Sequence, residues 1–182
     1  MIEMTLHPDL KELLFSEEDI LRRVRELGRQ ISEDYAGKNP LMICTLKGAV
    51  HFFADLAKAV SIECEYDFAA AESYGDGTQT SGEVRLKKDI ETDITGRDVL
   101  IIDDIMDSGL TLQYLTKVFS SRQPASVRTC VLLDKPERRT VRIDPDYAGF
   151  VIPNRFVVGY GLDYRQCYRN LPYIGVLKPE KY

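Results

Sequence analysis

The feature that most constrains the fold is the stretch VLIIDDIMDSGLTL, residues 99–112. Val99 to Ile102 form an apolar run of strand length with no alternation, which marks a strand covered on both faces, as in a parallel sheet packed by helices. The run ends in Asp103 and Asp104, and a third carboxylate follows at Asp107. Ser108, Gly109 and Thr111 then lead into helical spacing at Leu112, Leu115, Val118 and Phe119. Three like charges within five positions repel one another, so a bound cation or a ligand rich in hydroxyls is needed to offset them.

The rest of the chain repeats the alternation of strand and helix. Ser16, followed by Glu17, Glu18 and Asp19, predicts a helix start, and Ile20, Leu21, Val24, Leu27 and Ile31 carry its apolar face to an end near Gly37. LMICTL (41–46) is a buried strand, and residues 49–60 return to helical spacing. IECEYDFAAA (62–71) alternates, with Ile62, Cys64, Tyr66 and Phe68 on one side and Glu63, Glu65 and Asp67 on the other, so one face should be wet. Further strands are expected at 84–90, 126–133, 149–153 and 156–160, and the helix after Thr111 should stop before Pro124. The pattern predicts an α/β domain with a mainly parallel sheet flanked by helices. Ligands of such sheets bind beyond the carboxyl ends of the strands, where Asp103 and Asp104 fall.

A chain of 182 residues suits a single domain and buries about two thirds or more of its unfolded surface without staples. The net charge of −5 argues against general nucleic-acid binding, which needs clustered lysine and arginine. RRVR (22–25) and ERR (137–139) read as solvated faces. Cys44, Cys64, Cys130 and Cys167 lie far apart without metal-ligand spacing and read as reduced packing residues. The N-terminus resembles no secretory signal and no segment has the length of a membrane span, so the expected compartment is the cytoplasm.

The string DSGLT supplies what the aspartates lack. Gly109 permits close approach, and backbone N–H groups with two hydroxyls at a helix start favour phosphate. There is no Gly-Lys-Ser/Thr, so the loop is not that of a nucleotide triphosphatase. A ligand with a phosphate at one end, hydroxyls in the middle and a magnesium-bound group beyond fits the whole stretch, and a phosphorylated ribose carrying a diphosphate is such a ligand.

Residues 99–112 resemble the diphosphoribose-binding signature of the type I phosphoribosyltransferases. The ordered set LKGA (46–49), SYGDG (73–77), DDIMDSGLT (103–111), DK (134–135) and FVVGYGLDYRQCYR (156–169) narrows the likeness to the hypoxanthine-guanine phosphoribosyltransferases, from about Phe15 onward. The first acidic position, commonly glutamate in that family, is Asp103 here. The resemblance implies a core of about residues 38–140 and a small hood from about 1–37 and 141–182. It implies transfer of phosphoribose to N9 of hypoxanthine or guanine with Mg2+, and a homodimer or homotetramer whose partners are small molecules, not nucleic acid or membrane.

By the same resemblance, Asp103 and Asp104 hold the ribose hydroxyls, directly or through magnesium. Asp107, Ser108, Gly109, Leu110 and Thr111 hold the 5′-phosphate, with Asp107 also the catalytic base near N7 of the purine. Leu46, Lys47 and Gly48 meet the diphosphate, with a cis peptide between Leu46 and Lys47. Ser73 and Tyr74 begin a loop that closes over the diphosphate, and Arg169 also contacts it. Lys135 donates to the purine O6, Phe156 stacks on the ring, Val157 meets it through its backbone, and Asp163 holds a magnesium through water. Two alternatives stay open: a xanthine-preferring relative, and a regulator that keeps the fold and binds nucleic acid.

Overall fold

The computed structural model describes residues 6–74 and 83–182, and the side chains of Ser73, Tyr74 and Glu83 are outside that description together with the loop 75–82. The order is β1 (Leu10–Phe15), α1 (Glu17–Asp34), β2 (Leu41–Thr45), α2 (Val50–Ala59), β3 (Glu65–Tyr74), β4 (Glu83–Lys88), β5 (Asp98–Met106), α3 (Leu110–Ser120), β6 (Ser126–Asp134), β7 (Tyr147–Val151), β8 (Val157–Val158) and β9 (Ile174–Leu177). Short 3₁₀ turns lie at Pro136–Arg138 and Pro179–Lys181.

Six strands form one mixed sheet in the order β4-β3-β2-β5-β6-β7, parallel except where β4 returns against β3. The alternation of strand faces explains why the VLII run is apolar throughout. Leu100 and Ile102 pack with Met42 and Cys44 in the cluster that includes Leu27 of α1 and Leu56 of α2. Val99 and Ile101 pack with Leu41 and Ile43 in a second cluster that includes Leu112, Leu115 and Phe119 of α3. Each strand residue is thus buried on one side or the other, which leaves no place for a polar alternate. The chain winds to opposite sides from β2 and β5, so the crevice between their carboxyl ends is the switch point of the sheet.

Helix α1 starts at the expected serine. Ser16 Oγ accepts from Asp19 N at 3.1 Å, while Asp19 Oδ2 accepts from Ser16 N at 3.2 Å, a reciprocal cap. β1, β9 and β8 form a separate three-stranded antiparallel sheet.

Several expectations shift. β5 continues through both aspartates to Met106, so the chain does not turn at Asp103. β3 starts at Glu65, and its wet face is the one with Tyr66 and Phe68, both exposed, while Asp67 is 7% exposed. The 156–160 strand shrinks to two residues, and neither β1 nor β9 was anticipated. β7 joins the large sheet and α1 packs against α2 and β7, so the large layer extends beyond residues 38–140 at both ends. Cys44 and Cys130 are buried as packing residues, Cys64 is partly covered and Cys167 is exposed, with all four free. No described helix is long and apolar enough to cross a membrane.

Candidate active site

Asp103 and Asp104 follow the VLII run within β5, with Asp103 buried in the sheet end and Asp104 half-buried beside it. Thr45 Oγ1, at the end of β2, hydrogen-bonds the Asp103 carboxylate and lies 3.0 Å from the Ile102 carbonyl. Asp103 also accepts from Asp104 N at 3.0 Å, and Asp104 from Ile105 N at 2.9 Å. Burial pushes the Asp103 carboxyl up. Burial, then the charge of Asp103, pushes Asp104 well above the usual carboxylate range. A cation or hydroxyl donors at this pair would offset the cost of ionising both.

Asp104 reaches toward the loop after β2. A Cβ on Gly48 would stand 1.9 Å from Asp104 Oδ2, so a glycine here leaves room for the Asp104 carboxylate against the loop. The Leu46–Lys47 peptide in that loop is cis. Gly109 opens α3 with φ +84°, and a Cβ there would meet Arg139 Cδ at 2.9 Å. Ser108 Oγ accepts from Leu110 N at 3.4 Å, and the Ser108 carbonyl accepts from Thr140 N at 3.0 Å. Residues 108–111 are thus a compact strand-to-helix turn whose first N–H groups have no helical acceptor.

A cavity of about 760 Å³ lies between the ends of β5 and β6 and the three-stranded sheet. It brings together six anticipated residues, Asp104, Asp107, Lys135, Phe156, Val157 and Asp163. Lys135 is 6% exposed, and burial pushes its ammonium below the usual range, partly opposed by the charge of Asp107. Asp163 pairs with Arg169 at 2.9 Å, and Arg169 Nη1 donates to the Gly161 carbonyl at 2.7 Å. Asp103, Leu46, Lys47 and the 108–111 turn do not line this cavity but adjoin it through Asp104, Gly48 and Asp107. β3 carries Ser73 and Tyr74 to its end, and the loop that follows them lies outside the described residues.

Other wall residues were not anticipated. Ile105 lines the cavity beside Asp107, and Arg138 donates from Nε to Asp107 Oδ1 at 3.0 Å. Arg139 pairs with Asp134 and donates to the carbonyls of Met106 and Asp107, at 3.2 and 2.9 Å. The ERR segment is therefore mixed: Glu137 and Arg138 are exposed, while Arg139 is partly buried and buttresses the loop that carries Asp107. RRVR is likewise mixed, since Arg23 donates to the carbonyls of Ala148 and Gly149 at 2.8 Å each. The signal for Arg138 and Arg139 was their position three and four residues past Lys135.

The donor set suits magnesium. It consists of hard carboxylate oxygens, and no cluster of three or more metal-ligating side chains occurs among the described residues. A cation that binds through one or two carboxylates and a substrate's phosphates needs no fuller cage.

Residues 12–165 match the model of the phosphoribosyl transferase domain. The hypoxanthine-guanine phosphoribosyltransferase of Streptococcus thermophilus is 54% identical over 177 residues, 97% of this chain and 98% of that one. The chain belongs to the phosphoribosyltransferase family, among its hypoxanthine-guanine members. A solved hypoxanthine phosphoribosyltransferase of Staphylococcus aureus superposes on this phosphoribosyltransferase with a TM-score of 0.94 at 47% identity, covering 100% of this chain and 99% of the other. That of Trypanosoma cruzi, solved with its product IMP, superposes with a TM-score of 0.91 at 41% identity, over 98% and 100%.

Proposed function

We propose that this phosphoribosyltransferase moves 5-phosphoribose from 5-phosphoribosyl 1-diphosphate to N9 of hypoxanthine or guanine. The observation that carries the reading is the one cavity lined by Asp107, Lys135 and Phe156 together with the half-buried Asp104. The C1–N9 bond forms as the C1–O bond breaks, pyrophosphate leaves with the electron pair, and Asp107 accepts the purine proton at N7. Lys135, already largely stripped of water, donates to the 6-oxo oxygen. A 6-amino group there would leave a buried donor facing a donor, which selects against adenine.

Asp103 and Asp104 take the ribose hydroxyls, and the 108–111 turn takes the 5′-phosphate. The Leu46–Gly48 loop and Arg169 meet the diphosphate. Asp103, Asp104 and Asp163 would hold Mg2+, which would neutralise the charge of the leaving diphosphate. Val157 addresses the base through its backbone, and the enzyme's partners are these small molecules, with self-assembly as a homodimer or homotetramer. The T. cruzi relative, solved with IMP, supports the choice of product.

A competition assay with hypoxanthine, guanine, xanthine and adenine tests the proposal. IMP and GMP should form with magnesium present and AMP should not. Formation of AMP, or of XMP in preference to both, would overturn the assignment of the base. Asp107→Asn should lower kcat by about 10² to 10⁴ with a much smaller change in KM, and a variant close to the wild-type rate removes Asp107 from its role.

A further inference from the structure

Phe156 does not face the cavity alone. The Tyr182 ring lies over it at 4.6 Å between centroids and 20° between planes, and Tyr164 meets its edge at 5.5 Å and 89°. Tyr182 also lines the cavity, yet it is 54% exposed. It follows the 3₁₀ turn Pro179–Lys181, just after β9, where Leu177 N donates to the Phe156 carbonyl at 2.9 Å. That turn is fastened at Asp9: Lys181 Nζ stands 2.7 Å from Asp9 Oδ1, and Lys178 N donates to the Asp9 carbonyl at 3.0 Å. Tyr168 OH donates to the other Asp9 oxygen at 2.9 Å.

We infer that Tyr182 is a positioning residue of the base site, which holds the Phe156 ring from its outer face so that the inner face stands ready to stack on a purine. Tyr182 lines the same cavity as Asp107 and Lys135, and the inference assigns the two faces of Phe156 by the elements that each group comes from. Asp107 and Lys135 come from the ends of β5 and β6, so a base that reaches both lies on the side of Phe156 toward the large sheet. The tethers of Tyr182 run instead to Asp9, beside β1, and to the segment after β9, and half its surface meets solvent. A ring clamped on one face and one edge has less freedom to lose when a ligand stacks on the other face, which raises affinity without a new ligand contact.

The inference rests on the purine reading of this cavity, and the experiment separates the two. Steady-state kinetics of the wild type, Tyr182→Ala and Tyr182→Phe are measured with hypoxanthine varied at saturating phosphoribosyl diphosphate, and then with the reverse. Tyr182→Ala should raise the KM for hypoxanthine about three- to tenfold and weaken IMP binding by calorimetry to the same degree, the range expected of one aromatic stack. Its kcat and its KM for phosphoribosyl diphosphate should stay within about twofold, and Tyr182→Phe should restore wild-type values because the ring, not the hydroxyl, makes the contact. A lower KM in Tyr182→Ala would mean that the ring stands where the base belongs, and it overturns the inference. An unchanged KM, or a parallel rise for both substrates, does so too. A wild-type chain that forms no purine nucleotide instead sinks the purine reading and this inference with it.

Discussion

Asp67 on β3 and Asp103 on β5 are 7% and 8% exposed, two carboxylates at the same depth in one sheet. Asp67 is saturated. Its oxygens accept from Phe68 N at 2.7 Å, from Glu91 N and Thr92 N at 2.9 Å each, and from Thr92 Oγ1 at 2.8 Å. Burial pushes its carboxyl up, but these bonds outweigh burial and hold it below the usual range. Asp103 has the Thr45 hydroxyl, placed also toward a carbonyl, and the N–H of Asp104, a second carboxylate whose own charge is set against it. Both members of that pair are pushed up. A buried anion supplied with four donors stabilises the fold, whereas a carboxylate pair short of donors costs stability, which under the proposed function the ribose hydroxyls and a cation would offset.

Replacing Asp104 by Asn should separate these roles with the largest effect. Loss of charge-assisted contacts to the ribose should lower turnover about 10²-fold or more. The folded-state carboxyl is raised, so its ionised form costs stability at neutral pH, and that cost fades as pH falls through the raised value. Asp104→Asn should therefore melt at a higher temperature than the wild type at neutral pH, with a gain that shrinks on acidification. A lower melting temperature at neutral pH would show that the pair is structural and would erase the contrast with Asp67.

Asp67→Asn should do the reverse with a smaller effect. The amide presents donors to N–H groups that need an acceptor, a loss of about 2 kcal/mol, or about 4–8 °C in Tm for a chain of this size. The folded-state carboxyl is depressed, so its contribution is present above the unfolded value of about 3.9 and is lost as pH falls through the lower folded value. The deficit should thus be full at neutral pH and vanish in acid, while kcat and both KM values stay close to wild type. An Asp67→Asn enzyme with normal Tm and impaired turnover would break the comparison from the other side.

Much of this was legible in the chain, and the misreadings share a cause. The VLII run announced a strand buried on both sides because Val99 to Ile102 find apolar partners on each face. The DSGLT turn was legible because its glycine and hydroxyls act through adjacent backbone. The burial of Asp67 was not legible because alternation shows that two faces differ but not which is buried. The donors that make burial tolerable, at Glu91 and Thr92, lie 24 and 25 residues away. Arg138, Arg139 and Tyr182 escaped for the same reason, since each acts on a neighbour brought near only by folding. β1 and β9 were missed because each is short, and β1 is only partly buried, so neither prints a clear period.

Asp107 fits neither side of the contrast, and its pair with Arg138 yields the smallest prediction. Both side chains are open to solvent, at 41% and 51%, and meet at 3.0 Å. An exposed ion pair of this kind contributes about 0–1 kcal/mol, because water screens it and two flexible side chains must be held together. Arg138→Ala should therefore move Tm by no more than about 2–4 °C. The guanidinium also occupies the carboxylate that would take a purine proton, so its removal should change kcat by about fivefold or less, with an effect that diminishes as salt rises. A fall in Tm as large as that of Asp67→Asn would mean that the third aspartate of the stretch is held for the fold's sake. Its freedom to exchange one partner for another, the property a proton acceptor needs, would then have to be found elsewhere in the cavity.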